Sequence, residues 1–425
     1  VNVTPRESRA ALVENGVLQE VFLERANRRG LTSNIYKGKV ARVLPGMQAA
    51  FIDVGLDRTA FLHANDIVAP PLVEDGIETA RPENVRQLVS EGDEILVQVL
   101  KDPLGTKGAR LTTYITLPSR FLVYMPKGRG IGVSARIESE AERARLREAV
   151  ELFATPGEPG GWIVRTAAED CAIEALRADM LFLQRLWDMV RKRGLVARAG
   201  QLVHEDLPLE IRVLRDQLGQ HIERVLVDSP AAHARMVDFV RTFMPDSVSR
   251  IEQAAANRPI FDIYGVDDEI TRALDRKVPL KSGGYLMIDQ TEAMTTIDVN
   301  TGAFVGHRNL EDTIFRTNLE AALAIARQLR LRNLGGIIII DFIDMREDKN
   351  RRLLEKTLKD AMKPDRAKTK ILKISPFGIV ELTRQRLGPS LKQSYFNRCL
   401  RCDGLGVVQS EESLTEIAAR LHPLL

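Results

Sequence analysis

At 425 residues, with 44% hydrophobic and 28% charged side chains, the chain is too long for one ordinary core and reads as a soluble protein of two to four subdomains. Its net charge of +3 is too mild to establish nucleic-acid binding by itself, although the arginines are clustered. Three cysteines exclude a disulfide scaffold, no stretch approaches the roughly 20 apolar residues of a membrane span, no signal peptide is evident, and the expected compartment is the cytoplasm.

Residues 1–30 read as short strands, with ALVENGVLQEVFLER forming a hairpin around Asn15-Gly16. From Gly30 to about Thr113 the pattern is strand and turn throughout, and about five β segments at that spacing suggest a small Greek-key barrel. Ser139-Glu140-Ala141-Glu142 reads as a capping box ahead of an amphipathic helix. The loop Pro156 to Gly161 then releases a strand, Trp162 to Thr166, and residues 172–254 read as mostly helical. From Pro259 strands and helices alternate. LKSGGYLMIDQTEAMTTIDVNTG reads as a hairpin, and Asn309 caps a long helix with Glu311 and Asp312 in its first turn. Its stripe of Phe315, Leu319, Ala322, Ala326 and Leu329 faces a core, and the strand Ile337 to Ile340 follows in an α/β layer.

Two aspartates, Asp298 and Asp341, each stand where an apolar strand runs out. The run Ile337 to Ile340 reads as buried, and an acid directly after it needs a cation or a metal as partner. If the two strand ends meet, they form a carboxylate site for a hard ion such as Mg²⁺, with Asn300 on the same face as Asp298. The competing reading is that both acids pair with nearby arginines, and Asp344 either helps the site or caps a turn. Phe51 and Phe61, with Lys101 and Lys107, have the make-up of a single-stranded RNA surface, although composition alone favours both rings as core. Arg165 and Thr166 offer a guanidinium fork and a hydroxyl to a phosphate, with Arg136 as a further candidate; the alternative is a solvated surface pair. Cys399 and Cys402 look like half of a zinc site that a second chain completes, against a redox pair or idle thiols. The stretch Thr383-Arg384-Gln385-Arg386 is placed to contact a phosphate backbone.

These segments together carry a resemblance. NIYKGKVARVLPGMQAAFIDVG, KDPLGTKGARLTT, SGGYLMIDQTEAMTTIDVNTGAFVGHRNL and ARQLRLRNLGGIIIIDFIDM are similar to the ribonuclease E/G family of bacterial endoribonucleases, and closer to its G branch. The resemblance covers essentially the whole chain. It implies an α+β multidomain fold: an RNase H-like subdomain (1–30 and 210–273) interrupted by an OB-fold RNA-binding barrel (31–113) and a 5′-sensor subdomain (114–209). A DNase I-like catalytic subdomain (274–396), a zinc link (397–410) and the start of a small C-terminal subdomain (411–425) follow. By the same resemblance Asp298 and Asp341 hold Mg²⁺ while Asn300 orients substrate or water. Arg165 and Thr166 grip a 5′-monophosphate, supported by Arg136 and the backbone at Val123. Phe51, Phe61, Lys101 and Lys107 contact RNA, and Cys399 and Cys402 share Zn²⁺ with a second chain. The chain departs from the family in two places. Lys368 stands where the E branch has arginine, and Leu400 stands where the cysteine pair usually encloses a proline.

The expected function is Mg²⁺-dependent endonucleolytic cleavage of single-stranded, A/U-rich RNA with a preference for 5′-monophosphate ends. The expected roles are ribosomal RNA 5′ maturation and mRNA decay, carried out by a zinc-linked homodimer or a higher oligomer built on it, without membrane partners. The alternative is a non-catalytic RNA-binding or assembly protein that uses only the barrel.

Overall fold

The computed structural model describes residues 1–410 apart from 28, 69–72, 75–76, 79–83, 104–106, 155–159, 220, 256–257, 292, 303–309, 376, 398, 403, 405, 407 and 409. They fall into two compact units, one of Val1–Leu12 with Val21–Val266, the other of Val13–Glu20 with the chain from Asp267 onward. A three-stranded opening sheet, β1 (Asn2–Val3), β2 (Glu7–Glu14) and β3 (Val17–Arg25), supplies residues to both. Its hairpin turns on Asn15 (φ 51°) and Gly16 (φ 75°), the two left-handed residues that a tight type I′ turn requires.

In the first unit come β4 (Ile35–Leu44), β5 (Ala49–Asp53), β6 (Ala60–His63), the small hairpin β7 (Val73–Glu74) and β8 (Ile77–Glu78), α1 (Val85–Leu88), β9 (Glu94–Lys101) and β10 (Arg110–Thr112). Strands β4, β5, β6, β10 and β9 are bonded in that order, and β4 also pairs with β9, which closes an OB-like five-stranded barrel. Ile52, Leu62, Val97 and Leu111 fill it, each wholly buried and each contributing about 2 kcal/mol. Closure brings β4 so near its neighbours that a Cβ at Gly38 would lie 2.5 Å from the Ile52 side chain.

Next are β11 (Leu117–Pro118), β12 (Leu122–Met125), β13 (Ile131–Val133), α2 (Glu140–Phe153), β14 (Gly161–Val164) and α3 (Ile173–Val196). The sheet order β11-β12-β14-β13 lays Leu122, Trp162 and Val164 against Leu146 of α2 and Leu176 of α3. Ser139 caps α2 by accepting from the Glu142 amide at 3.2 Å, but the Glu142 carboxylate bonds Arg145 and the Asp170 amide. Only half of the expected capping box forms, because Arg145 one turn on is the stronger partner.

The remainder of the unit is β15 (Leu202–His204), α4 (Leu209–Gln217), β16 (Val225–Val227), α5 (Pro230–Phe243), β17 (Ile251–Gln253) and α6 (Ile260–Ile263); α7 (Val266–Leu274) belongs to the second unit from Asp267 onward. The mostly helical expectation for 172–254 therefore missed β15, β16 and β17. Strands of three residues are too short to show a twofold alternation. The loop expected at Pro156 to Gly161 lies largely outside the described residues.

The second unit contains β18 (Lys277–Pro279), β19 (Tyr285–Gln290), β20 (Met294–Asn300), α8 (Leu310–Leu331), β21 (Gly336–Asp341), α9 (Asp348–Met362), β22 (Thr369–Ile371), β23 (Ile379–Arg384) and α10 (Leu391–Tyr395). Its six-stranded sheet has the order β18-β19-β20-β21-β23-β22; β20 and β21 are parallel and joined through α8. One face packs Ile297, Val299, Ile338 and Ile340 against Ile325 and Leu329 of α8 and Leu354 and Leu358 of α9. Of the expected helix stripe, Ala322, Ala326 and Leu329 are buried, while Phe315 and Leu319 pack at the margin. Asn309, the expected cap, lies outside the described residues.

The opposite face of the sheet is exposed along β20 and β21. Ile337 is 48% accessible, so the four-isoleucine run is not a core strand on both sides. An unbroken apolar run hides its own alternation. Arg384 is likewise not a surface contact: its guanidinium is buried and grips Asp365 with two bonds, at 2.6 and 3.0 Å.

Candidate active site

Asp298 and Asp341 are direct cross-strand partners at the carboxyl ends of parallel β20 and β21. Paired strands run about 4.8 Å apart, so the two carboxylates stand side by side on the open face. Alternation along β20 sends Ile297 and Val299 into the core and Asp298 and Asn300 outward, and the Asn300 amide donates to Asp298 Oδ2 at 2.8 Å. Partial burial, then the negative charges of Asp298 and Asp344, push the Asp341 carboxyl above its usual range. Among the described residues neither acid of the pair has a Lys, Arg or His ion-pair partner, so the reading in which arginines neutralise them has no counterpart here. No cluster of three or more His, Cys, Asp or Glu side chains forms among those residues. Two adjacent hard oxygen donors with an amide beside them suit a divalent cation that keeps sites open for water and phosphate.

The loop beyond Asp341 is clasped from the core. Asn318 of α8, fully buried, donates to the Ile343 carbonyl at 2.7 Å and accepts from the Ile343 amide at 3.1 Å. Gly378, at φ 74°, lets the chain pass Asp344, whose Oδ1 would lie 2.9 Å from any Cβ there.

In the first unit, Arg165 and Thr166 follow directly on β14, and Ser134 follows on the parallel β13. The Ser134 and Thr166 hydroxyls meet at 2.9 Å, and the Arg136 amide donates to Ser134 Oγ at 3.3 Å. The Arg165 guanidinium donates to the Ser119 carbonyl and to Asp216 Oδ1, both at 2.5 Å. Burial alone would raise the Asp216 carboxyl, but Arg215 and Arg165 hold it down at about 2. Val123 lies within β12, between Pro118 of β11 and Ile163 of β14, so its backbone is inside the sheet.

On the barrel, Phe51 and Phe61 are cross-strand partners of β5 and β6, half-buried on the outer face, with centroids 6.1 Å apart and rings at 71°. The composition-only expectation that both are core is corrected: alternation gives the interior to Ala50, Ile52 and Leu62. The register extends the row, with Arg42 opposite Phe51, Arg110 opposite Phe61 and exposed Lys101 opposite Arg110. Lys107 is also exposed, just before β10. Sequence reasoning did not place Arg42 and Arg110 in this row, and Arg110 bonds Asp66 Oδ2 at 2.8 Å. Their signal was the alternation that already placed the two rings.

Cys399 is exposed and Cys402 half-buried. Backbone amides of Cys402 and Arg401 hydrogen-bond the Cys399 sulfur and lower its thiol, and the Gly406 amide donates to Cys402 Sγ at 3.4 Å. Donors turned on the Cys399 sulfur favour its thiolate, the form that binds a soft or borderline metal. Burial instead pushes the Cys171 thiol up to about 11, the behaviour of a core side chain.

Paired carboxylates on an open sheet and an aromatic-basic barrel face suit an enzyme acting on nucleic acid, and the comparisons give the class. Residues 116–387 match the Ribonuclease E/G family, and the chain belongs to that family. It is similar to ribonuclease G of Salmonella typhimurium (strain SL1344), 52% identical over 97% of this chain and 85% of that protein. Ribonuclease G of Haemophilus influenzae is also 52% identical, over 97% of this chain and 84% of its own length. Ribonuclease E of Escherichia coli (strain K12) is 40% identical over 99% of this chain but 40% of its own length.

Proposed function

We propose that the protein cleaves single-stranded, A/U-rich RNA endonucleolytically with Mg²⁺, preferring substrates with a 5′-monophosphate. It is an endoribonuclease, a phosphodiester hydrolase, in keeping with its family. The observation that carries the metal-dependent reading is the register pairing of Asp298 with Asp341, two unneutralised carboxylates on one open face. They are the residues that would hold the ion. When bound, Mg²⁺ would supply positive charge to a phosphate oxygen and acidify water. Asn300, fixed on Asp298, keeps one amide hydrogen and its carbonyl for a substrate oxygen or a water. Attack of water at phosphorus with rupture of the P–O3′ bond, the 3′ oxygen leaving and taking up a proton, gives a 3′-hydroxyl and a 5′-phosphate.

In the same reading Arg165, Thr166 and Arg136 bind the 5′-phosphate, with Val123 beside the terminal nucleotide. Phe51 and Phe61 stack bases while Lys101 and Lys107 take backbone charge. The barrel, the 5′ sensor, the RNase H-like and DNase I-like subdomains and the zinc link take the boundaries expected above. Cys399 and Cys402 bind half a zinc ion, and a second copy of the chain completes it. Ribosomal RNA precursors and mRNA are the proposed substrates, and the cytoplasm the proposed compartment; no described helix is long and apolar enough to cross a membrane.

The test is Asp298→Asn, with RNA binding measured beside cleavage of a short 5′-monophosphorylated RNA, with and without chelator. Cleavage should fall at least about a hundredfold while binding stays within about twofold. Undiminished cleavage, or cleavage indifferent to chelator, refutes the assignment.

A further inference from the structure

Behind Arg165 lie two acids that the proposed chemistry does not use, half-buried Asp216 and buried Asp179. Asp216, near the end of α4, accepts from Arg165 Nη2 through Oδ1. The same carboxylate accepts from Arg215 Nε at 3.2 Å and Nη2 at 3.0 Å. From the other side the Ser119 carbonyl takes a hydrogen of Arg165 Nη1. The turn carrying Ser119 is itself pinned by Asp179 of α3, 2% accessible, whose Oδ2 accepts from the Ser119 hydroxyl and from the Phe121 and Leu122 amides at 2.9 and 3.0 Å. The Arg165 amide closes the frame on the Phe121 carbonyl at 2.8 Å.

A guanidinium has five N–H donors, and these contacts engage one on each terminal nitrogen. The plane is therefore fixed, while Nε and one hydrogen on each terminal nitrogen are left outside these two contacts. The side chain remains 27% accessible. Arg215, shared by the same acid, prevents Asp216 from cancelling the Arg165 charge alone.

We propose that Asp216 is a positioning residue for 5′-end discrimination: it orients the Arg165 fork for a terminal phosphate without touching substrate. The inference rests on the reading of Arg165 as the phosphate-binding group. An unpinned arginine must surrender rotamer freedom on binding, which weakens a bidentate contact and leaves the cleavage chemistry untouched.

The experiment compares kcat/KM on one RNA carrying either a 5′-monophosphate or a 5′-hydroxyl, using the full chain and Asp216→Asn, Asp216→Glu and Arg165→Gln. A thermal melt establishes that each variant is folded at the assay temperature. Asp216→Asn should reduce the monophosphate preference by about tenfold, with the 5′-hydroxyl rate within about twofold of wild type and partial recovery in Asp216→Glu. Equal losses on both RNAs would show that Asp216 merely supports the fold, and an unchanged ratio would show that it plays no part; either outcome overturns the inference. If Arg165→Gln abolishes the preference and Asp216→Asn retains it, the inference fails and the sensor reading survives. If Arg165→Gln also retains it, both fall.

Discussion

At the scale of single residues, Asp216 has a consequence for stability that is separate from substrate. Its carboxyl sits at about 2 in the folded protein against an ordinary 3.8. A depressed folded value stabilises above the unfolded pKa, and that contribution is lost as pH falls through about 2. We expect Asp216→Asn to lower unfolding free energy by about 2 kcal/mol at neutral pH, with the two proteins converging between about pH 4 and pH 2. Urea titrations across that range check it, and a constant gap down to pH 2 would contradict it. The same residue marks how far sequence carries. Asp298 and Asp341 stood out because each ends an apolar run. Asp216, Ser134 and Asn318 did not, because Arg165, Thr166 and Ile343, which they meet, lie tens of residues away in the chain. Asn318 is the sharpest case, a wholly buried amide on a helix whose core stripe was otherwise legible.

Among elements, strands β19 to β21 and helix α8 were readable because their lengths expose a period. The direction of each face was not. The run from Ile337 to Ile340 reads as interior until its neighbours show that alternate residues face outward, and this makes the carboxylate pair accessible. The anchoring of β23 was also hidden. Arg384 and Asp365, each 4% accessible, join that strand to the segment after α9, and Arg384 also donates to the Leu334 carbonyl at 2.7 Å. Removing one member strands a buried charge, so Asp365→Ala should cost about 3–5 kcal/mol in chemical denaturation. The double variant Asp365→Leu with Arg384→Met should cost clearly less. If the single variant is no worse than the double, the pair is not the anchor described here.

For the whole molecule, the five-stranded barrel and the α/β layer were legible as blocks of pattern, since turn residues and period shifts punctuate the chain over long distances. The proposed assembly rests on an incomplete ligand set, because two cysteines would supply half of a tetrahedral site. The zinc-link reading predicts about half an equivalent of zinc per chain. Cys402→Ser or a strong chelator should convert dimer to monomer in sedimentation, and a full equivalent per chain would point elsewhere. The barrel carries a last consequence for the proposed contact with RNA. Phe51 and Phe61 meet edge to face at 71°, so no two bases lying flat on each other can cover both rings. On that proposal a strand would splay consecutive nucleotides to use the pair, which the parallel stacked bases of a duplex could not do.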